Sequence, residues 1–248
     1  MPTPRRLPCA AVLLLWSQLA HAEGTPAADT SFLRLFTGLA TDVVHLGTQD
    51  ALWPLGLGGA ATVAVRPGDD VTSRTLADAA GLRPWLRPGN ALGHGTTQAA
   101  VAVGTWIVGR ATRRDRVALT GSDLVRVQLL NGALTQALKA ATRRDRPDGG
   151  TRSFPSGHTS ATVATATVLA QHPGWKVGLP AYAVSVLVGA SRIQDRRHYL
   201  SDVVFGATLG LTAGRAVTVG RGNARVAVTP FALPGGGGLR LALPSRPR

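Results

Sequence analysis

Along this chain, apolar stretches alternate with short segments rich in proline, glycine and arginine, and the spacing within them is mostly helical. Ser31–Val44 predicts a short amphipathic helix. Ala51–Val65 is apolar and glycine-rich, and Pro67-Gly68 breaks it within 66–70. Val71–Leu82 predicts another short helix, stopped by the Pro84 and Pro88 region. Ala99–Gly109 is apolar again. Val117–Ala141 has apolar residues at 124, 125, 127, 129, 130, 134, 137 and 138, the pattern of one long helix. After a Pro/Gly/Arg loop at 142–156, Thr159–Ala170 keeps helix periodicity and begins at a Ser156-Gly157 turn able to cap it. Val177–Ala190 is almost uninterrupted apolar sequence, and Asp202–Val219 closes the series. Ala224–Leu233 and Leu239–Leu243 are β-prone around Gly235–Gly238 and predict a small C-terminal β-hairpin. The fold class is therefore all-α with that hairpin as an appendage.

These helices have to be buried somewhere. The apolar stretches are mostly 11–17 residues, short of the ~20 that span a bilayer. Asp123 and Arg126 lie within the long helix and are costly in lipid unless turned into the bundle. Yet Ala51–Val65, Ala99–Gly109, Val177–Ala190 and Val203–Thr212 are too uniformly apolar for surface helices. The expectation is an inner-membrane protein, integral or tightly associated, whose site faces the periplasm.

Residues 1–22 read as an export signal: Arg5 and Arg6, an apolar run Ala10–Leu19, then Ala20-His21-Ala22 ahead of Glu23. An uncut anchor is the alternative. Cleavage removes the only cysteine, Cys9, and leaves neither disulfide nor thiolate chemistry. The expected organisation is a signal peptide at 1–22, a helical domain at 23–220 and a β-prone tail at 221–248.

The whole chain carries 27 Lys and Arg against 13 Asp and Glu. Loss of 1–22 takes away two arginines and no acid, leaving 25 basic and 13 acidic residues, a formal charge of +12. Only Lys139 and Lys176 are lysine. For an exported protein this balance points to anionic lipid head groups and phosphorylated substrates, not nucleic acid.

Three basic, histidine-bearing clusters follow one another over 139–202. The first is Lys139-Ala-Ala-Thr-Arg-Arg-Asp-Arg146-Pro147, the second Pro155-Ser156-Gly157-His158, and the third runs from Ser191-Arg192 to His198 and Asp202. Cleaving a phosphate ester requires neutralised non-bridging oxygens, an in-line nucleophile and a proton for the leaving oxygen. Lys139, Arg146 and Arg192 can supply the charge, arginine through its planar fork. Ser156 and Gly157 precede a helix whose free N–H groups bind anions. His158 stands at that helix start, placed to give up a proton. His198 and Asp202 are four residues apart, on one face of a helix, so the carboxylate can fix the imidazole tautomer and free the other nitrogen to attack. Singly, each residue has a plainer reading: a surface histidine, a capping Asp or Ser, a loop arginine.

The clusters resemble the type 2 phosphatidic acid phosphatase (PAP2) and vanadium haloperoxidase superfamily, whose signature K-x6-R-P, P-S-G-H and S-R-x5-H-x3-D is matched at every specified position. The resemblance is dense over 139–202 and looser to about 117–219. It implies a bundle of about six helices with the site at one end. It implies His198 as a nucleophile forming a phosphohistidine, Asp202 as its support and His158 as acid. Phosphate binding falls to Lys139, Arg146, Ser156, Gly157 and Arg192. No metal or other cofactor is implied, and vanadate would mimic phosphate as an inhibitor. His45, His94 and His172 match nothing in the signature and read as structural or surface residues.

The expected activity is hydrolysis of a lipid phosphate or diphosphate, with phosphatidic acid, phosphatidylglycerol phosphate and undecaprenyl diphosphate as candidates. The alternatives are a soluble periplasmic acid phosphatase of broad specificity, a vanadium-dependent haloperoxidase, and a non-catalytic basic protein that binds anionic lipids. Specificity would come from segments around the pocket such as 84–98. One hexapeptide, Ala-Thr-Arg-Arg-Asp-Arg, occurs at 111–116 and again at 141–146. At 1.5 Å per residue its copies lie roughly 40 Å apart at opposite ends of the long helix, so only the second can belong to the site. Were that helix to cross a membrane, the first copy would mark the cytoplasmic side.

Overall fold

A computed structural model of the protein describes residues 32–219 and two strands at 227–233 and 236–242. The signal expected at 1–22, with Cys9, lies outside the described residues. The helices are α1 (Phe32–His45), α2 (Gln49–Val65), α3 (Asp69–Asp78), α4 (Arg83–Leu86), α5 (Pro88–Gly93), α6 (Gly95–Ala111), α7 (Asp115–Thr142), α8 (Gly157–Gln171), α9 (Trp175–Gln194) and α10 (Leu200–Thr218). Six is therefore too low a number, since seven helices among the described residues have 14 or more residues. The Pro84 and Pro88 region also does not simply stop a helix. Each proline takes a first-turn position, where its missing N–H costs nothing, and so starts α4 and α5. In the tail, β1 (Ala227–Leu233) and β2 (Gly236–Ala242) are antiparallel partners, with Ala227 opposite Ala242.

α8 lies at the centre, with α9 and α10 packed most extensively on it and α6 on α7. Every residue of α8 from Thr159 to Leu169 is buried, and its small Ala, Thr and Val side chains let neighbours approach on all sides. Two of its threonines satisfy their own hydroxyls on the preceding turn, Thr162 to His158 O at 3.0 Å and Thr167 to Val163 O at 2.8 Å. α10 offers Gly206, Gly210 and Gly214 at four-residue intervals. A Cβ on Gly210 would lie 2.2 Å from Ser160 O, so the two backbones touch where any side chain would hold them apart. The apolar core gathers Leu124, Val127 and Leu130 of α7, Val168 of α8 and Ala213 and Val217 of α10.

The charges of α7 do turn inward. Arg126 is 1% exposed and bridges Asp42 of α1 at 3.3 Å and Asp123 at 2.5 Å. The second Asp123 oxygen meets His172 Nε2 at 2.8 Å. His45 Nδ1 lies 3.2 Å from Ala216 O, so both these histidines tie helices together. No helix among the described residues is long and apolar enough to cross a membrane.

The repeated hexapeptide marks helix ends. Its third residue is left-handed in both copies, Arg113 at φ 54° after α6 and Arg143 at φ 47° after α7. Arg114 N–H reaches back to Gly109 O at 2.9 Å, and Arg143 N–H to Lys139 O at 3.2 Å. These bonds satisfy carbonyls that the last helical turn leaves open. Arg196, at φ 54°, ends α9 in the same way. The 28 residues of α7 hold the two copies at its opposite ends.

Candidate active site

The site forms where three chain segments meet at one end of the bundle. α7 delivers Lys139 in its last turn, and the left-handed Arg143 then redirects the chain so that Arg146 turns back. The 143–156 loop is pinned by its own backbone: Arg146 N–H to Gly150 O at 2.7 Å, and Ser153 N–H to Arg144 O at 2.7 Å. Ser156 N–H donates to Asp202 O at 3.0 Å, which joins the start of α8 to the start of α10. The turn between α9 and α10 is held against the loop by Arg197, which meets Asp148 at 2.8 Å, and by Arg196, which donates to Pro147 O at 2.8 Å.

One cavity of about 770 Å³ is lined by Lys139, Arg146, Gly157, His158, Arg192 and His198. Six of the eight residues expected from the sequence thus share its wall. The other two lie just behind it. Ser156 is fully buried, its hydroxyl 2.9 Å from that of Thr159. Asp202 is 0% exposed, with its Oδ2 3.7 Å from His198 Nδ1. That spacing is an ion-pair distance, too long for a hydrogen bond. With Nδ1 turned toward Asp202, the nitrogen left for the cavity is Nε2.

Besides His198, three groups meet on the Asp202 carboxylate. Arg144 reaches its Oδ1 at 2.8 Å, while Tyr199 N–H donates to Oδ2 at 2.9 Å and the Ser153 hydroxyl donates to the same oxygen. Burial opposes the charge, but His198, Ser153, the Tyr199 N–H and Arg144 outweigh it and hold the carboxyl below its ordinary pKa. His198 is pushed down, first by burial, although Asp202 works the other way. Burial, then Arg192 and the other histidine, lower His158 to about 4. Burial and the Arg146 charge bring Lys139 to about 8. Burial is the largest cause for all three groups, and the neighbouring cations Lys139, Arg146 and Arg192 add to it, a surplus of positive charge that suits an anion. Buried nitrogens without a hydrogen-bond partner fit that chemistry: Nε of Arg146, Nε of Arg192 and Nε2 of His158.

Several contributors were not legible as site residues. Asn90 of α5 accepts from Arg192 at 2.5 Å, and Asp195 holds the other fork nitrogen at 2.6 Å. His94, read as a structural or surface residue, is exposed but lines the cavity, its ring edge-on to His158 at 5.8 Å. Of the 84–98 segment, Asn90, Gly93, His94 and Gly95 reach the cavity. Its apolar wall comes from elsewhere: Ala99, Ala102 and Val103 on α6, Val125 and Leu129 on α7. Among the described residues no group of three or more His, Cys, Asp or Glu is arranged to hold a metal ion.

Residues 120–225 match the model of the PAP2 superfamily. The chain is 37% identical over 99 residues to the lipid A 1-phosphatase of Porphyromonas gingivalis, covering 38% of this chain and 22% of that one. It is 37% identical over 105 residues to the decaprenylphosphoryl-5-phosphoribose phosphatase of Mycobacterium tuberculosis, covering 38% and 57%. The chain thus spans well under two thirds of the length of these curated relatives. In fold it is similar to the crystal structure of Aquifex aeolicus LpxE, with TM-score 0.52 and 23% identity over 61% of this chain and 94% of that one. It is also similar to the transmembrane PAP2-type phosphatidylglycerolphosphate phosphatase of Bacillus subtilis, with TM-score 0.55 and 24% identity over 72% and 94%. Motif spacing and family match coincide on one segment, and over residues 120–225 this chain is similar to the PAP2 superfamily.

Proposed function

We propose that the protein is a metal-independent phosphatase that hydrolyses a phosphate monoester or diphosphate carried by a lipid. The observation that carries this reading is the two-sided cavity, with cations and two histidines at one end and an apolar wall from α6 and α7 beside them. The names of the relatives support a lipid carrier. Phosphatidic acid, phosphatidylglycerol phosphate and undecaprenyl diphosphate are the candidates.

In this reading Lys139, Arg146, Arg192 and the N–H groups at the start of α8 hold the non-bridging oxygens, with Ser156 and Gly157 shaping that turn. The Nε2 lone pair of His198 attacks phosphorus, and the P–O bond to the leaving group breaks. His158 gives its proton to the departing oxygen. Water then loses a proton to His158 and attacks phosphorus, the P–N bond breaks, and its electron pair returns to His198. Asp202 steadies the imidazole through Nδ1. Vanadate, with the same oxyanion shape, binds there as an inhibitor.

The proposed organisation is a cleaved signal at 1–22, the phosphatase domain at 23–220 and an appended tail at 221–248. Exposed apolar side chains on α1, α2, α6 and α9, Phe36, Leu57, Ile107 and Leu179 among them, support association with the membrane of the cell envelope, the site toward the periplasm. A phosphate-release screen over lipid and soluble phosphates, run on membrane and soluble fractions, tests both parts. Release from lipid phosphates in the membrane fraction, blocked by vanadate, is expected. Release from soluble esters alone, or peroxide- and vanadate-dependent halide oxidation, would defeat the reading.

The acid role of His158 has a pH signature. The protein alone lowers this histidine to about 4, through burial and then through Arg192 and His198. A bound phosphate offsets those cations and restores the proton-bearing form at higher pH. The alkaline limb of kcat, which reports the complex, is therefore expected to lie about one pH unit or more above that of kcat/KM, which reports the free protein. Coincident limbs, or an unchanged alkaline limb in H158A, would remove His158 from that role.

A further inference from the structure

One residue at an unspecified position of the first motif gathers several contacts around the Asp202 carboxylate. Arg144 stands in the turn after α7, two residues before Arg146. Its Nη1 donates to Asp202 Oδ1 at 2.8 Å and to Ser201 Oγ at 2.7 Å. Its Nη2 donates to Asp69 Oδ2 at 2.7 Å. Its guanidinium lies 4.2 Å over the ring of Tyr199. Its carbonyl accepts from Ser153 N–H, and Ser153 in turn donates its hydroxyl to Asp202. Asp69, in the first turn of α3, is 4% exposed and also accepts from Ser201 N–H at 2.8 Å and from the Ser201 hydroxyl at 2.5 Å. One cation thus lies between two buried carboxylates, and only one of them faces the histidine.

We propose that Arg144 and Asp69 are positioning residues that set the orientation and charge of Asp202, and so the pH at which His198 is ready to attack. This rests on the reading of His198 as nucleophile. Arg144 keeps Asp202 ionised beside a second carboxylate and turns Oδ2 toward the imidazole. Asp69 competes for the same guanidinium and limits how fully Asp202 is neutralised. The other groups that bear on the pair are Tyr199 next to His198, Lys139 and Arg146 from the end of α7, and His158 across the cavity. They are the same in every variant considered below, so a change at position 144 or 69 is read against a constant background.

The signs are opposite for the two residues. Removing the Arg144 charge makes Asp202 easier to protonate beside Asp69, and makes His198 easier to protonate too. Both effects move the acid limb of kcat to higher pH. Removing the Asp69 charge leaves Arg144 wholly to Asp202, and both effects move the limb to lower pH. A role confined to holding the fold together would move both limbs alike or neither.

The test is the kcat–pH profile of the full-length protein with p-nitrophenyl phosphate, for wild type, R144Q, R144K, D69N and H198A. R144Q is expected to raise the acid limb by about one pH unit or more, R144K to bring it back toward wild type, and D69N to lower it. Limbs that stay in place, or that move the same way in R144Q and D69N, overturn the proposal. If R144Q does not fold, D69N decides alone, and a limb that stays or rises is the negative result. An H198A variant as active as wild type, or a wild type that releases no phosphate from either p-nitrophenyl phosphate or phosphatidic acid in detergent micelles, overturns the phosphohistidine reading and this inference with it. An active wild type with unmoved limbs overturns this inference alone.

Discussion

Replacing His198 by alanine is expected to lower kcat by about 10⁴- to 10⁶-fold, the cost of removing a covalent nucleophile, while leaving phosphate and vanadate binding largely intact. The two effects separate because different parts of the cavity carry them. Lys139, Arg146, Arg192 and the start of α8 surround the anion, and none of them takes its position from the His198 ring. Arg192 is fixed by Asn90 and Asp195. Lys139 is fixed by the Arg152 carbonyl at 2.6 Å. The His198 side chain makes no hydrogen bond that holds another residue: its Nδ1 is buried at ion-pair distance from Asp202 but without a hydrogen-bond partner. Its truncation therefore removes the attacking nitrogen and little else.

Rapid acid-free quenching of wild type with a labelled substrate is expected to trap an acid-labile phosphoramidate, and H198A to trap none. D202N should retain the intermediate but form it about 10⁴-fold more slowly, as when a triad histidine loses its orienting carboxylate. A stable intermediate in H198A would place the nucleophile elsewhere. An unchanged rate would end the mechanism.

The site was readable in the sequence to the extent that its residues lie in runs. Lys139 to Pro147, Pro155 to His158 and Ser191 to Asp202 are contiguous, because the first two runs are each one helix end with its adjoining turn and the third joins the end of α9 to the start of α10. What the runs could not give is anything a distant element adds. Asp69 is 133 positions from Asp202, and an acidic residue opening a helix has an ordinary explanation in the helix dipole. Asn90 sits in a Pro/Gly segment where an asparagine looks like turn chemistry. Arg144 lay inside a quoted motif, but at one of its unspecified positions.

The helices themselves were legible from periodicity, to within one or two residues for the helix at Phe32–His45 and for the long one at Asp115–Thr142. The Pro84–Pro88 region misled because proline both stops and starts helices. The apolar wall of the cavity was hidden for another reason. Residues 99–103 and 125–129 look like any core-facing stretch until α6 and α7 are set side by side.

The glycines of α10 are a second signal that went unread, and they carry the largest structural effect expected. Gly206, Gly210 and Gly214 form one stripe against α8, facing Ser156, Ser160 and Thr167 in turn. A methyl group at position 210 would stand 2.2 Å from the Ser160 carbonyl and 2.9 Å from Ala164 N. Both are backbone atoms inside a helix, so no side chain can swing aside. Helix propensity alone favours alanine over glycine by about 1 kcal/mol, yet overpacking costs about 1–3 kcal/mol and occasionally more. The clash must win here, because relief requires α10 to move off α8 as a body. G210A is thus expected to lower stability by about 2 kcal/mol or more. G104A, where a Cβ meets nothing within 4 Å, should raise it slightly. Catalysis follows the same displacement. His158 opens α8, Asp202 lies in the first turn of α10, and Ser156 N–H to Asp202 O is the one backbone bond joining those two starts. A shift near 1 Å between the helices separates acid from nucleophile and costs about 10²-fold in rate. Thermal unfolding and kcat measured together on G210A and G104A decide it. A G210A protein as stable and as active as wild type would mean that the close α8–α10 approach does not hold the site.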